Sequence, residues 1–125
     1  MLSQDEPYVL TVFTGLYGAL FKAALERSGY AVRFAYSEDE IIAKMKAARP
    51  IFILCYVGLS NIDGLNLIRS IRASHEFSDL PILAVISEAQ NTLAQYAEDS
   101  GANKALLIPF TPNTVVDFAN SIKKY

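Results

Sequence analysis

Pro50-Ile51-Phe52-Ile53-Leu54-Cys55-Tyr56-Val57 is the stretch on which the fold turns. From Ile51 to Val57 hydrophobicity is nearly continuous. A central parallel strand needs such a run, because helices cover both of its faces. Working outward, four more short apolar runs stand at Tyr8 to Phe13, Ala31 to Ala35, Pro81 to Ile86 and Ala105 to Ile108. The second of the five runs alternates, with Arg33 between Val32 and Phe34, which suits an edge strand.

Segments of helical period separate the runs, and their ends carry recognisable chemistry. Ser37 followed by Glu40 is a capping box, and Glu40 to Lys44 is a favourable i,i+4 pair. Ile41, Met45 and Ala48 then supply one apolar face. After Asp63-Gly64, Leu65, Ile68 and Ile71 make another. Thr111 and Pro112 read as N-cap and first helical position, ahead of Val115, Ala119 and Ile122. The first helix, roughly Gly15 to Ser28, stops at Gly29. Strand and helix alternate five times, which predicts an α/β fold: a doubly wound five-stranded parallel sheet in three α/β/α layers. The flavodoxin-like strand order 2-1-3-4-5 is expected, although hydrophobicity does not encode strand order. In such sheets the working crevice lies outside the carboxyl ends of the strands.

Composition bounds the function. The 125 residues suit one domain, residues 1–125 with a core of about 8–122, and 52% hydrophobic content excludes a disordered chain. The net charge is −2 with charges scattered, so the basic stripe of a nucleic-acid binder is missing. The lone Cys55 cannot form an internal disulfide and reads as a small buried hydrophobe, which leans towards a reducing compartment. Met1 to Pro7 lacks a signal peptide's basic start and apolar core, and no apolar run nears the ~20 residues of a membrane span. A cytoplasmic location, with no membrane contact, is expected.

At the predicted strand ends the sequence becomes specific. Pro50 to Tyr56 followed by Ile62-Asp63-Gly64-Leu65 resembles the response-regulator receiver pattern of bacterial two-component signalling: buried strand, acceptor residue, then a Met-Asp-Gly-Leu turn. Leu80 to Val85 with Ser87-Glu88-Ala89 is similar to the family's fourth strand and following loop. Gly101-Ala102 and Leu107-Ile108-Pro109-Phe110 resemble its Gly-Ala and Lys-Pro-Phe motifs, and Leu25-Glu26-Arg27-Ser28-Gly29-Tyr30 the end of its first helix. The likeness runs from about Tyr8 to Ile122.

The resemblance implies a nucleophilic carboxylate, an acidic pair holding Mg²⁺, and a hydroxyl and a lysine that meet the phosphoryl oxygens. Carried over position by position, the nucleophile becomes Tyr56 and the acidic pair Phe13 and Thr14. The hydroxyl falls on Ile86, with Ser87 beside it, and the lysine becomes Ile108. A one-residue gap would return the hydroxyl to Ser87. Polar groups have given way to apolar ones, so the expectation is a filled, dry pocket needing neither Mg²⁺ nor any other cofactor. Asp63 and Gly64 are expected to serve the turn and helix start, Asp63 as cap and Gly64 by permitting positive φ. The family's Lys-Pro peptide, usually cis, corresponds here to Ile108-Pro109. His75 has no second ligand in sight.

Two surfaces are candidates for partners. The face of the fourth helix, fifth strand and fifth helix, which often binds partners in receivers, falls on Leu93, Tyr96, Ala105 and Phe118. Ala105 occupies the family's aromatic switch position. Tyr96 and Phe118 are either exposed anchors or packed on the sheet. The second surface is the first helix, where Leu16, Ala19 and Ala23 lie beside an expected core face of Leu20, Phe21, Ala24 and Leu25. A pseudo-receiver acting as a phosphorylation-independent interaction module is therefore the leading expectation. Its partner would be a signalling protein, a kinase, another receiver or a second copy. The alternative is a flavodoxin-like phosphate or small-ligand domain using Thr11 to Gly18. No paired nucleophile and base points to an enzyme.

Overall fold

A computed structural model describes residues 7–12, 15–58, 63–108 and 113–123. The chain runs β1 (Tyr8–Val12), α1 (Gly15–Arg27), β2 (Ala31–Phe34), α2 (Glu38–Ala47), β3 (Phe52–Val57), α3 (Gly64–Ala73), β4 (Ile82–Ser87), a 3-10 turn (Glu88–Gln90), α4 (Leu93–Ser100), β5 (Lys104–Ile108) and α5 (Asn113–Lys123). The strands pair in parallel in the order β2-β1-β3-β4-β5, as expected. β1, β3 and β4 are the central strands, β2 with its Arg33 is one edge, and β5 is the other.

Strand alternation divides the core into two layers. Tyr8, Leu10, Ile53, Cys55, Ile82, Ala84 and Ile86 face Ile41 and Met45 of α2, Leu67, Ile68 and Ile71 of α3, and Ala97 of α4. Val9, Phe52, Leu54, Leu83 and Val85 face Phe21 and Leu25 of α1 and Val115 and Ala119 of α5. Each fully buried large aliphatic or aromatic side chain contributes about 1.5–3 kcal/mol of transfer free energy. Two packed faces hold the strand ends in place.

Local details refine the expectations. Ser37 caps α2 by accepting from the Glu40 N–H at 3.2 Å. Glu40 turns back, and its Oε1 accepts from the Tyr36 N–H at 2.6 Å instead of reaching forward to Lys44. Leu20 departs from the predicted core face and is 41% exposed, whereas Phe21, Ala24 and Leu25 are buried. At about 100° per residue, Leu20 lies outside the arc centred on Phe21 and falls on the solvent side with Ala19 and Ala23. Leu67, buried at 3%, joins the α3 face beside the expected residues. Thr111 and Pro112 lie outside the described residues.

At the amino ends of the strands, Arg72 of α3 ties several segments together. Its Nε donates to Gly101 O at 2.8 Å and its Nη2 to Asn103 Oδ1 at 2.8 Å. Its Nη1 donates to Leu80 O at 2.6 Å and Ser78 O at 3.1 Å. Burial lowers the Arg72 pKa from its ordinary value, an effect the charge of Asp79 opposes. Asn103 Oδ1 also accepts from the Ile82 N–H at 2.8 Å, so this knot fixes where β4 begins.

Candidate functional site at the carboxyl ends of the strands

The ladder sets the site's geometry. Tyr56 pairs with Val85, Val57 with Ile86, and Ser87 with Ile108. Side chains at paired positions share a sheet face, and neighbours along a strand alternate. Ile86 therefore points with Val57 into the layer under α2, α3 and α4, where it is fully buried. Ser87 follows Val85 onto the opposite face, which also carries Tyr56 and Ile108. Ile86, expected at the hydroxyl's place, thus points away from Tyr56 and Ile108, and its neighbour Ser87 is the residue that shares their face.

Tyr56 and Ile108 are half-buried and pack against the α1/α5 layer. The Ser87 hydroxyl accepts from the Ala89 N–H at 3.3 Å, capping the 3-10 turn. A Cβ added to Gly58 would lie 3.0 Å from Gln90 Oε1 and 3.8 Å from Tyr56 Cε2 and Cζ. The Tyr56 ring and the Gln90 amide therefore crowd the space just past β3. Below them Thr11 is fully buried, and its Oγ1 has no hydrogen-bond partner among the described residues. Cys55 is buried beside Tyr56 but on the other face, and desolvation pushes its thiol up to about 12. Phe13, Thr14 and Pro109 lie outside the described residues; of the flavodoxin-like alternative's Thr11 to Gly18, Thr11 and Val12 end β1 and Gly15 to Gly18 begin α1.

Asp63 caps α3, its Oδ1 accepting from the Asn66 N–H at 3.1 Å. Gly64 has a different role from the one expected. It is not among the positive-φ glycines; instead a Cβ there would come 3.1 Å from Val57 Cα, so it lets α3 start hard against β3. His75 is exposed, and no three His, Cys, Asp or Glu side chains gather into a metal-holding group among the described residues.

The expected partner face comes apart in an informative way. Leu93 and Ala105 are partly buried against the core. Phe118 packs down on the sheet, its ring edge-on to Phe52 with centroids 5.0 Å apart. Tyr96 is 59% exposed. Ser100, one turn further along α4, accepts a hydrogen bond from Arg69 Nη1 of α3 at 3.0 Å. Residues i and i+4 share a flank, so Tyr96 lies on the α3 side of α4 and not towards β5. Towards β5 the exposed apolar side chain is Leu107, on the same strand face as Ala105. On α1, Ala19 and Ala23 are exposed and Leu20 joins them; the side chain of Leu16 lies outside the described residues.

Sequence reasoning did not single out Gly58, Gln90 or Leu107. Leu107 was open to period-two counting from Ala105, whereas the approach of Gln90 to Gly58 spans two loops and left no mark in the pattern.

Comparison with known proteins fits this geometry. The sequence model of the response regulator receiver domain matches residues 16–120. The transcriptional regulatory protein BaeR of Escherichia coli O6:H1 is 28% identical over 116 residues, covering 93% of this chain and 44% of that protein. The chain spans about 39–55% of the length of the curated relatives it matches. A response regulator from Thermotoga maritima superposes with a TM-score of 0.79 at 25% identity, covering 96% of this chain and 99% of that one. The chemotaxis response regulator CheY4 of Vibrio cholerae shares the fold at a TM-score of 0.79 and 24% identity, covering 94% and 98%. No helix among the described residues is long and apolar enough to cross a membrane.

Proposed function

The chain belongs to the response regulator receiver domain family, and from that premise we propose that it is a pseudo-receiver: an interaction module that does not take phosphate at the usual aspartate. The observation that carries this reading is the trio on one face of the strand ends. Tyr56 and Ile108 pack into the α1/α5 layer, and the Ser87 hydroxyl accepts from the Ala89 N–H. An acyl phosphate forms on a carboxylate, and Tyr56 offers a phenol. Mg²⁺ takes hard oxygen ligands in near-octahedral array, and in place of two carboxylates Phe13 supplies none and Thr14 a neutral hydroxyl. The donor set does not fit the ion. Ala105 in place of an aromatic removes the rotating ring that would report phosphorylation.

Without that chemistry the domain works as a binding module and not as an enzyme, its surface held in one state. The α4–β5 edge around Leu107, together with exposed Tyr96 on the other flank of α4, offers a protein partner apolar anchors in a polar surround. A signalling protein, a kinase or another receiver fits that role, in a cytoplasmic setting. Acetyl phosphate with Mg²⁺, followed by intact-mass analysis, tests the reading. Unmodified protein is expected; a stoichiometric, acid-stable but base-labile phospho-adduct would overturn it.

A further inference from the structure

On the opposite side of the molecule from the α1/α5 layer, a groove of about 330 Å³ runs between α2 and α3. Ile42, Met45, Leu67, Ile71 and Phe77 give it an apolar lining, and Glu38 and Lys46 stand along its α2 rim. Ile42 is 45% exposed, an unusual position for an isoleucine on a helix with only ten residues.

The pattern of α2 itself suggests what covers this groove. Glu38, Ile42 and Lys46 follow one another at i, i+4 and i+8, so they form a single stripe: acid, apolar, base. Beside it on the outward surface stand Asp39 in the first turn, then Ala43 and Ala47. Turned end for end, such a stripe is its own complement. Two copies related by a two-fold axis through Ile42 would place each Glu38 against the partner's Lys46 and each Ile42 against the other. The interface is isologous, with every contact made twice. Ala43 and Ala47 are small enough for the two helices to approach closely, and each Ile42 side chain would seat at the mouth of the partner's groove.

We propose that α2 is a homodimerisation surface, with two copies of this chain packing α2 antiparallel across the α2–α3 groove. The occupant is a second copy because the charge order is self-complementary. This interface lies apart from the α4–β5 edge and stands whether or not that edge binds a partner.

The test is sedimentation velocity on the whole chain across a concentration series, at low and high salt. Wild type is expected to self-associate reversibly, and Ile42→Asp to remain monomeric. Either single reversal, Glu38→Lys or Lys46→Glu, should weaken the dimer by about tenfold, since two exposed ion pairs turn repulsive together. The double variant Glu38→Lys with Lys46→Glu should restore it, an outcome that neither misfolding nor a foreign partner would produce. All three positions are exposed, and far-UV circular dichroism checks that each variant is folded. A wild type that stays monomeric throughout would overturn the proposal, as would a dimer indifferent to Ile42→Asp. A monomer whose groove binds anilinonaphthalene sulfonate would also overturn it and assign the groove to a small apolar ligand.

Discussion

Ser87 and Ile108 stand opposite each other at the last rung of the β4–β5 ladder. Their pairing puts the hydroxyl-bearing residue and the residue at the lysine's place on the sheet face that carries Tyr56. The three strand ends thus bring together a phenol, a hydroxyl that accepts from the Ala89 N–H, and a half-buried isoleucine.

Thr11 is a residue whose replacement should help. Its Oγ1 is buried without a partner among the described residues, and an unsatisfied hydroxyl carries a desolvation cost of about 1–3 kcal/mol. Thr11→Val, close in shape, is expected to raise stability by about 1 kcal/mol in urea unfolding. A loss of stability of that size would show that the hydroxyl has a partner worth keeping.

Cys55 should be inert in the folded protein. The thiolate is the reactive form, and burial holds this thiol up at about 12 from an ordinary 9.0. Ellman's reagent at neutral pH is expected to react only once denaturant is added. The same shift has a pH consequence. Folding favours the protonated thiol, so its contribution is complete below pH 9.0 and is lost as pH climbs towards about 12. Cys55→Ala should flatten the alkaline fall in stability, and an unchanged slope would contradict the assignment.

The Arg72 knot should be a stability determinant remote from the carboxyl ends of the strands. Gly101 has φ +124, and a Cβ there would sit 2.5 Å from Arg72 Cγ. Gly101→Ala combines that overlap with a left-handed backbone and is expected to cost about 2–4 kcal/mol. Arg72→Ala removes hydrogen bonds to Leu80, Gly101 and Asn103 and is expected to cost a similar amount, about 2–4 kcal/mol. Chemical denaturation measures both. A change under about 0.5 kcal/mol, typical of plain surface substitutions, would show that the knot is dispensable.

On the proposed partner surface, Leu107→Asp and Tyr96→Ala should separate the two flanks of α4. Both side chains are exposed, so the fold should tolerate either change. A partner seated on the β5 edge is lost with Leu107→Asp and kept with Tyr96→Ala. Calorimetry or pull-down against the isolated partner reads this directly. Full binding by both variants would move the interface to Ala19, Leu20 and Ala23 of α1.

Much of the architecture was legible because it rests on local signals. A nearly unbroken apolar run marked β3 as a central strand, Arg33 marked β2 as an edge, and Ser37 and Asp63 marked helix starts that the structure caps as expected. What escaped depended on angles and loops. Leu20 is apolar yet falls about 100° round the helix from Phe21. Phe118 and Tyr96 look alike on paper, but one meets Phe52 while the other lines the outer flank of α4. Position-by-position transfer chose Ile86, and only the ladder, where Ser87 faces Ile108, reveals which of two adjacent residues shares Tyr56's side.

The central claim is tested most directly by titrating Mg²⁺ and beryllofluoride while following backbone amide shifts. Beryllofluoride stands in for the phosphoryl group of an acyl phosphate. The spectrum is expected to stay unchanged around Val12, Tyr56, Gly58, Ser87 and Ile108. A saturable response confined to those strand ends would contradict the account and restore a phosphorylation switch.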